Sequence, residues 1–165
     1  MTEQVRDNYE LKSNELRTVE IPYARLIDTT PTASNPAAVN GLDYANGEGL
    51  TGVIISVDAS DSVAVLDVGA GNQYYFEVRN VLTYAGAEAT WGAINIGDPV
   101  YYDDTAGMPA GVYLSTSPLD TGGNANVKFG HVVPWDDADL ALYPKGGITA
   151  STQECGVVII GAGVA

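Results

Sequence analysis

One group of side chains in this sequence that could carry chemistry is Asp120-Thr121-Gly122. It matches the Asp-Thr-Gly signature of aspartic proteases, in which the aspartate follows an apolar strand and shares a proton with a second copy. Here the polar segment Ser115-Thr116-Ser117-Pro118-Leu119 precedes the aspartate, and Gly123-Asn124 follows the glycine. This context predicts a loop and argues against a protease centre.

Two clusters of carboxylates are the next candidates, Asp103-Asp104 and Asp136-Asp137-Ala138-Asp139. Calcium needs several converging oxygen ligands, and the helix–loop–helix calcium pattern also needs Gly at its sixth position and a bidentate Glu at its twelfth. Neither cluster has these residues. We interpret both clusters as solvated acidic turns, with a divalent cation at a subunit contact as the alternative.

The single histidine and the single cysteine do not form a catalytic set with their neighbours. Alternation along residues 126–133 predicts a strand with Val127, Phe129, His131 and Val133 on one apolar face, where a packed or interface histidine is expected rather than a base. No Gly-x-Ser-x-Gly elbow accompanies it, and tetrahedral zinc needs several His or Cys ligands. Cys155 adjoins an apolar run, which predicts a buried thiol. We therefore predict no enzyme activity, no cofactor and no metal.

Short β-strands are the elements that must position these side chains. Runs of β-branched and aromatic residues between Gly, Asp, Asn and Pro predict strands at 52–57, 62–68, 73–79, 100–102, 112–115, 126–133 and 156–160. The short turns between the first three predict an antiparallel meander. Residues 80–93 are expected to form a loop with one helical turn near 85–89. The predicted fold class is all-β, a small antiparallel β-barrel or sandwich of about seven or eight short strands.

The beginning of the chain differs from the rest. Residues 1–28 hold four of the seven basic side chains and six acids, and Pro31 and Pro36 lie among small polar residues in 29–40. Such a proline-containing segment predicts an extended linker. We predict an extended N-terminal arm and linker over residues 1–48, and a β-barrel or sandwich body over residues 49–165.

The overall composition limits the classes of function. The 165 residues carry a formal net charge of −14, and such a surface repels nucleic-acid phosphates. No apolar run approaches the roughly 18 residues of a membrane span. The first residues also lack the basic and apolar regions of a secretory signal. We expect synthesis in a reducing cytoplasm and binding to neither nucleic acid nor membrane.

The order of these strands and turns resembles the small capsid decoration, or cement, proteins of tailed bacteriophages. The likeness covers roughly residues 50–160. The matching pieces are the 63–78 meander with its aromatic third strand, Ile96-Gly97-Asp98-Pro99-Val100-Tyr101-Tyr102-Asp103, Leu114-Ser115-Thr116-Ser117, and the 126–133 strand containing Phe129-Gly130.

The resemblance implies a non-enzymatic protein on the capsid exterior of a virion. Such a protein would bind the major capsid protein, commonly as a homotrimer, and clamp neighbouring subunits. In this setting the N-terminal segment would contact the capsid or a neighbour through Arg6, Tyr9, Lys12, Arg17, Tyr23 and Arg25. One alternative is another virion component, such as a minor capsid, tail or fibre-base protein. The other is a carbohydrate-binding β-module, suggested by ten Tyr and two Trp.

Overall fold

The protein is described by a computed structural model over residues 16–85, 88–92, 94–105, 108–134 and 152–162. These residues form eleven strands and one 3-10 turn, which confirms the all-β prediction. The elements are β1 (Thr18–Pro22), η1 (Tyr23–Arg25), β2 (Pro36–Ala38), β3 (Thr51–Asp58), β4 (Val63–Asp67), β5 (Gln73–Arg79), β6 (Val81–Ala85), β7 (Glu88–Trp91), β8 (Pro99–Tyr102), β9 (Leu114–Ser115), β10 (Val127–Val133) and β11 (Thr152–Ile159). Within the described ranges, no helix has the length and apolar character needed to cross a membrane.

Four strands form an antiparallel sheet in the order β1-β4-β3-β2. Beyond η1 the chain returns to the opposite edge of this sheet, where Ile27 N donates to Ala38 O at 2.9 Å and Asn40 N donates to Arg25 O at 2.7 Å. The sheet therefore curls over its own apolar face. That face holds a cluster of buried residues, Leu26, Ala37, Ile54, Ala64, Leu66 and Val68.

The predicted division of the chain at residue 48 is corrected by this pairing. Over residues 16–48 the chain does not form a separate arm, since β1 pairs with β4 and β2 pairs with β3. Pro36 is compatible with β2 because it is the first residue of the strand and the proline ring removes only one donor there. The rest of the predicted arm, residues 1–15, lies outside the described residues.

Five strands close into a barrel in the order β10-β11-β5-β9-β8. All pairs in the barrel are antiparallel except β5 with β9, which run parallel. Tyr102 and Phe129 fill its centre and are 1% and 0% exposed. Ala38 and Val53 of the four-stranded sheet belong to the same core cluster. The sheet and the barrel therefore share one hydrophobic core.

The predicted three-stranded meander is wrong in its third strand. β3 and β4 form the expected hairpin, but β4 does not pair with β5. The turn at residues 69–72 carries the chain from the sheet into the barrel, where Gly71 N donates to Ile159 O at 3.0 Å. β5 pairs with β11 instead, from Thr152–Arg79 to Val158–Gln73. The loop predicted at 80–93 is also wrong, because β6 and β7 pair there as a two-stranded sheet.

A β-bulge in β10 changes which residues face the core. The register between β10 and β8 shifts between Lys128 and Gly130. Phe129 and Val132 are fully buried, whereas His131 is half-buried, so the shared face predicted for Phe129 and His131 is wrong. Gly130 is required at this point because a Cβ there would lie 2.0 Å from the Val158 carbonyl oxygen.

Candidate functional site

A cavity of about 300 Å³ opens at the end of β8, and we call it the acidic cavity. Its walls carry three carboxylates, two tyrosine rings and several apolar side chains: Asp28, Asp103, Asp104, Tyr102, Tyr113, Ile27, Met108 and Val112. Two hydrogen bonds donated by backbone N–H groups hold this arrangement. Asp103 N donates to Tyr113 O at 2.8 Å, and Thr105 N donates to Asp103 Oδ1 at 3.0 Å. The end of β8 and the chain before β9 are therefore held together around the cavity.

The two carboxylates of the solvated turn predicted at Asp103-Asp104 differ in exposure, since Asp104 is exposed as predicted and Asp103 is not. Asp103 is only 2% exposed. Partial burial, followed by repulsion from Asp103 and Asp120, raises the pKa of Asp104 above its ordinary value. The prediction failed for Asp103 because local composition does not reveal that residues 27–28 and 108–113 lie around this turn.

The tyrosines around the cavity remain neutral at physiological pH. Burial raises the pKa of the Tyr44 phenol, and the neighbouring Asp104 and Asp103 carboxylates add to the shift. Burial and then Asp28 raise the pKa of Tyr113. The rings of Tyr102 and Tyr113 stack at a centroid distance of 6.2 Å.

The acidic cavity therefore suits a cationic group with an apolar or planar stem. Carboxylates attract the charge, and the flat tyrosine faces and apolar walls contact the rest of a lysine or arginine side chain. The protein's own Arg79 side chain lies near the cavity wall, because its Nη1 donates to Sδ of the lining residue Met108 at 3.4 Å.

A second cavity, of about 310 Å³, lies between the base of the β6–β7 hairpin and the turn before β8, and we call it the amide cavity. Asn80 is 1% exposed and lines it. Asn80 Nδ2 donates to Gly92 O at 2.7 Å, and Gly92 N donates to Asn80 O at 3.0 Å. The first of these bonds orients the side-chain amide, and Asn80 Oδ1 is buried with no hydrogen-bond partner among the described residues.

The rim of the amide cavity comes from the turn before β8, in the segment Ile96-Gly97-Asp98-Pro99. Gly97 has a positive φ of 91°, which glycine tolerates, and Asp98 Oδ2 accepts the backbone N–H of Asn95 at 2.7 Å. On the opposite side, Thr116 Oγ1 donates to Val81 O at 2.7 Å. The turn was predictable, but its position over Asn80 depends on the hairpin that the sequence did not reveal.

The predicted partner-binding residues lie away from both cavities where the structure describes them. Arg17 is exposed immediately before β1, and Arg25 is exposed beyond its other end, so the length of β1 separates them. Tyr23 is half-buried and packs against the Leu26 cluster. The remaining three, Arg6, Tyr9 and Lys12, lie outside the described residues.

The remaining candidates from the sequence, Asp120 and Cys155, belong to a turn and to the hydrophobic core. Asp120 lies in a turn, as its context predicted, and its Oδ1 accepts Gly122 N and Asn124 N, each at 2.8 Å. Cys155 is fully buried in the barrel core, as predicted. Within the described ranges, no three His, Cys, Asp or Glu side chains are grouped to hold a metal ion. The cluster at 136–139 lies outside those ranges.

No family model, curated protein or solved structure matches this chain. The resemblance to phage decoration proteins rests on the motif residues alone. Of these, residues 99–102 and 127–133 form neighbouring strands of the barrel, and Tyr102 and Asp103 line the acidic cavity.

Proposed function

We propose that this protein is a structural virion protein that binds the outer surface of a tailed-phage capsid as a homotrimer and cements neighbouring major-capsid subunits. One observation carries the proposal. Two of the four segments that resemble decoration proteins, residues 96–103 and 126–133, contain the adjacent strands β8 and β10 of a closed barrel, and the acidic cavity opens where β8 ends. A closed barrel leaves none of its own strand edges free, so it is a stable block for bearing load.

The acidic cavity provides the contact in this proposal. A lysine or arginine of the major capsid protein enters it, pairs with Asp28 or Asp104, and lies against the face of Tyr113. Each such contact is modest in affinity. A trimer that engages three capsid subunits gains through effective concentration, so that attachment becomes strong without a large single interface.

Empty, expanded capsid shells that lack the protein provide the test. We expect the purified protein to co-sediment with the shells and to raise the temperature at which they rupture. The double variant Asp28→Asn/Asp104→Asn should weaken attachment about tenfold or more, because it removes both carboxylates that could form the charge-assisted contact. Asp61→Asn, in the exposed β3–β4 turn, removes a carboxylate far from the cavity and should leave attachment unchanged.

Failure of the wild-type protein to bind shells would contradict the proposal. Full retention of the double variant would leave capsid binding intact but place the contact outside the acidic cavity. The wild-type attachment should also weaken as salt increases, because charges at the contact are screened.

The role of the N-terminal arm is tested by removing residues 1–15 only. Removing residues 1–30 would delete β1 and Leu26 and expose the apolar face of the sheet, so loss of binding would reflect unfolding. Removal of residues 1–15 should preserve a cooperative melting transition, because the strands of the described fold remain, and should reduce retention on shells. Unchanged retention would show that Arg6, Tyr9 and Lys12 do not contact the capsid.

Other virion roles are distinguished by stoichiometry. A decoration protein is present in hundreds of copies per particle, whereas a tail or fibre-base component is present in a few. Quantitative gel staining of purified virions separates these outcomes. Sedimentation equilibrium of the purified protein tests the homotrimer directly, and a monomer that remains at all concentrations would contradict it.

A further inference from the structure

We infer that the amide cavity binds one pyranose ring of a neutral carbohydrate. This inference does not depend on capsid attachment, because the cavity is formed by residues different from those of the acidic cavity. It would add recognition of a glycan to a protein whose proposed role is structural.

The first observation is the unpartnered acceptor in the cavity wall. Asn80 is 1% exposed, and its amide nitrogen is already committed to Gly92 O. Its Oδ1 has no hydrogen-bond partner among the residues that the structure describes. A buried carbonyl oxygen without a donor destabilises the folded protein, so a ligand that supplies an O–H or N–H to it recovers that free energy on binding.

The second observation is the charge of the lining. Among the described residues that form the cavity, Asp98 is the one charged side chain, and the others are Asn80, Val81, Gly92, Asn95, Pro99 and Thr116. An anionic ligand would meet acceptors and a carboxylate and would be repelled. A metal ion would find one carboxylate, which is too few for Ca²⁺. The lining therefore selects a neutral ligand that is rich in hydrogen-bond donors.

The third observation is the size and mixed character of the cavity. Its volume of about 310 Å³ is near the lower limit for small-molecule sites. A single water occupies about 30 Å³ in the liquid, so one bridging water would leave most of the space unfilled. A pyranose hydroxyl can donate to Asn80 Oδ1 or Asp98 and accept from the amide of Asn95. The C–H groups of the ring can pack against Val81 and Pro99.

Saturation-transfer NMR and 1H–15N correlation spectra of the 15N-labelled full-length protein, with the methyl glycosides of glucose, galactose, mannose and N-acetylglucosamine, test this inference. We expect at least one to bind with a Kd of about 1 mM and to shift the side-chain amide resonances of Asn80. Asn95→Ala, at the rim of the cavity, should weaken binding at least fivefold. Asn46→Ala is the matched control, because Asn46 is exposed and does not line the cavity.

The NMR readout on Asn80 keeps the test valid without mutating that buried residue. No binding by any of the four glycosides at about 20 mM, far above the expected Kd, would overturn the inference. Binding that leaves the Asn80 resonances unshifted, or that is equal in Asn95→Ala, would also overturn it. Addition of oligosaccharides with the same terminal sugar distinguishes the two sources of the ring. Tighter binding than to the methyl glycoside indicates a glycan chain, and equal binding indicates a free sugar.

Discussion

The buried carboxylate of Asp67 connects the four-stranded sheet to the turn that leads into the barrel. One oxygen accepts Gly69 N at 2.9 Å and Arg17 N at 3.3 Å. The other accepts Asn72 Nδ2 at 2.7 Å and Tyr74 Oη at 2.5 Å. Because Asp67 is fully buried and its bonds to Gly69 N and Asn72 Nδ2 are buried as well, these two donors have little access to water if the carboxylate is removed. The residue therefore fixes the path by which β4 leaves the sheet.

Replacing Asp67 by Ala should lower the free energy of unfolding by about 3 kcal/mol, because hydrogen bonds to a charged group are lost and buried donors remain unsatisfied. Chemical denaturation monitored by tryptophan fluorescence measures this. The control Asp61→Ala removes an exposed carboxylate with a similar change of composition and should alter stability by less than about 0.5 kcal/mol. Equal effects of the two substitutions would contradict a structural role for Asp67.

In contrast to Asp67, removal of the Asp104 carboxylate is expected to stabilise the folded protein. Its folded-state pKa is raised by burial above the ordinary value of 3.8, so ionisation at neutral pH destabilises the folded state relative to the unfolded chain. Asp104→Asn should therefore raise the melting temperature at neutral pH. The gain should shrink as the pH falls through the folded pKa and vanish below 3.8, where both states are protonated. A melting temperature that falls in the variant at neutral pH would contradict this assignment.

The burial or turn position of an individual residue was predictable where its immediate sequence neighbours determine it. The apolar run after Cys155 predicted its burial, and the polar residues around Asp120 predicted a turn. The burial of Asp103 and Asn80 was not predictable. Each is covered by segments distant in sequence, and an aspartate or asparagine is ordinarily expected on the surface.

At the scale of elements, the bulge in β10 determines which side chains enter the barrel. Phe129→Ala should cost about 3 to 5 kcal/mol because a large buried ring is lost from the core. His131→Ala should cost less than about 0.5 kcal/mol, since the imidazole points away from the core. Thermal or urea unfolding compares the two variants. A large loss of stability in His131→Ala would instead support the sequence prediction that His131 and Phe129 share the core face of the strand.

Strand positions were largely predictable from the sequence, but strand partners were not. The alternation of residues 73–79 correctly separates buried Phe76 and Val78 from exposed Tyr75 and Glu77. The same pattern does not specify which strand lies alongside, and the short turn after β4 favoured a local hairpin. β5 instead pairs with β11, which is more than seventy residues later in the chain, as the pair Arg79 and Thr152 illustrates.

At the scale of the whole molecule, the shared core predicts a single unfolding transition. Val53 of the sheet packs into the barrel cluster, so neither part can lose its structure without exposing the other. Differential scanning calorimetry should show one transition, and Val53→Ala should shift it to lower temperature without splitting it. Two separate transitions would contradict a shared core.

The same packing predicts that residues 49–165 do not fold alone. Their isolated expression would remove β1, β2 and Leu26 and expose the buried side chains of Ile54, Ala64 and Leu66. We expect this fragment to aggregate or to lack a cooperative melting transition, whereas removal of residues 1–15 should preserve the transition. A well-folded fragment would instead support the domain division that the sequence suggested.

The central position of β11 in the barrel has a consequence for synthesis on the ribosome. β5 receives its longest set of cross-strand partners from residues 152–158, and β10 receives four from the same strand. A nascent chain that has released β5 and β10 must therefore wait for β11 before the barrel can close. During this interval, apolar strand faces and unpaired peptide groups are open to association between neighbouring polypeptides on the same messenger RNA. Rapid completion of translation through residue 159 thus favours correct assembly of each copy.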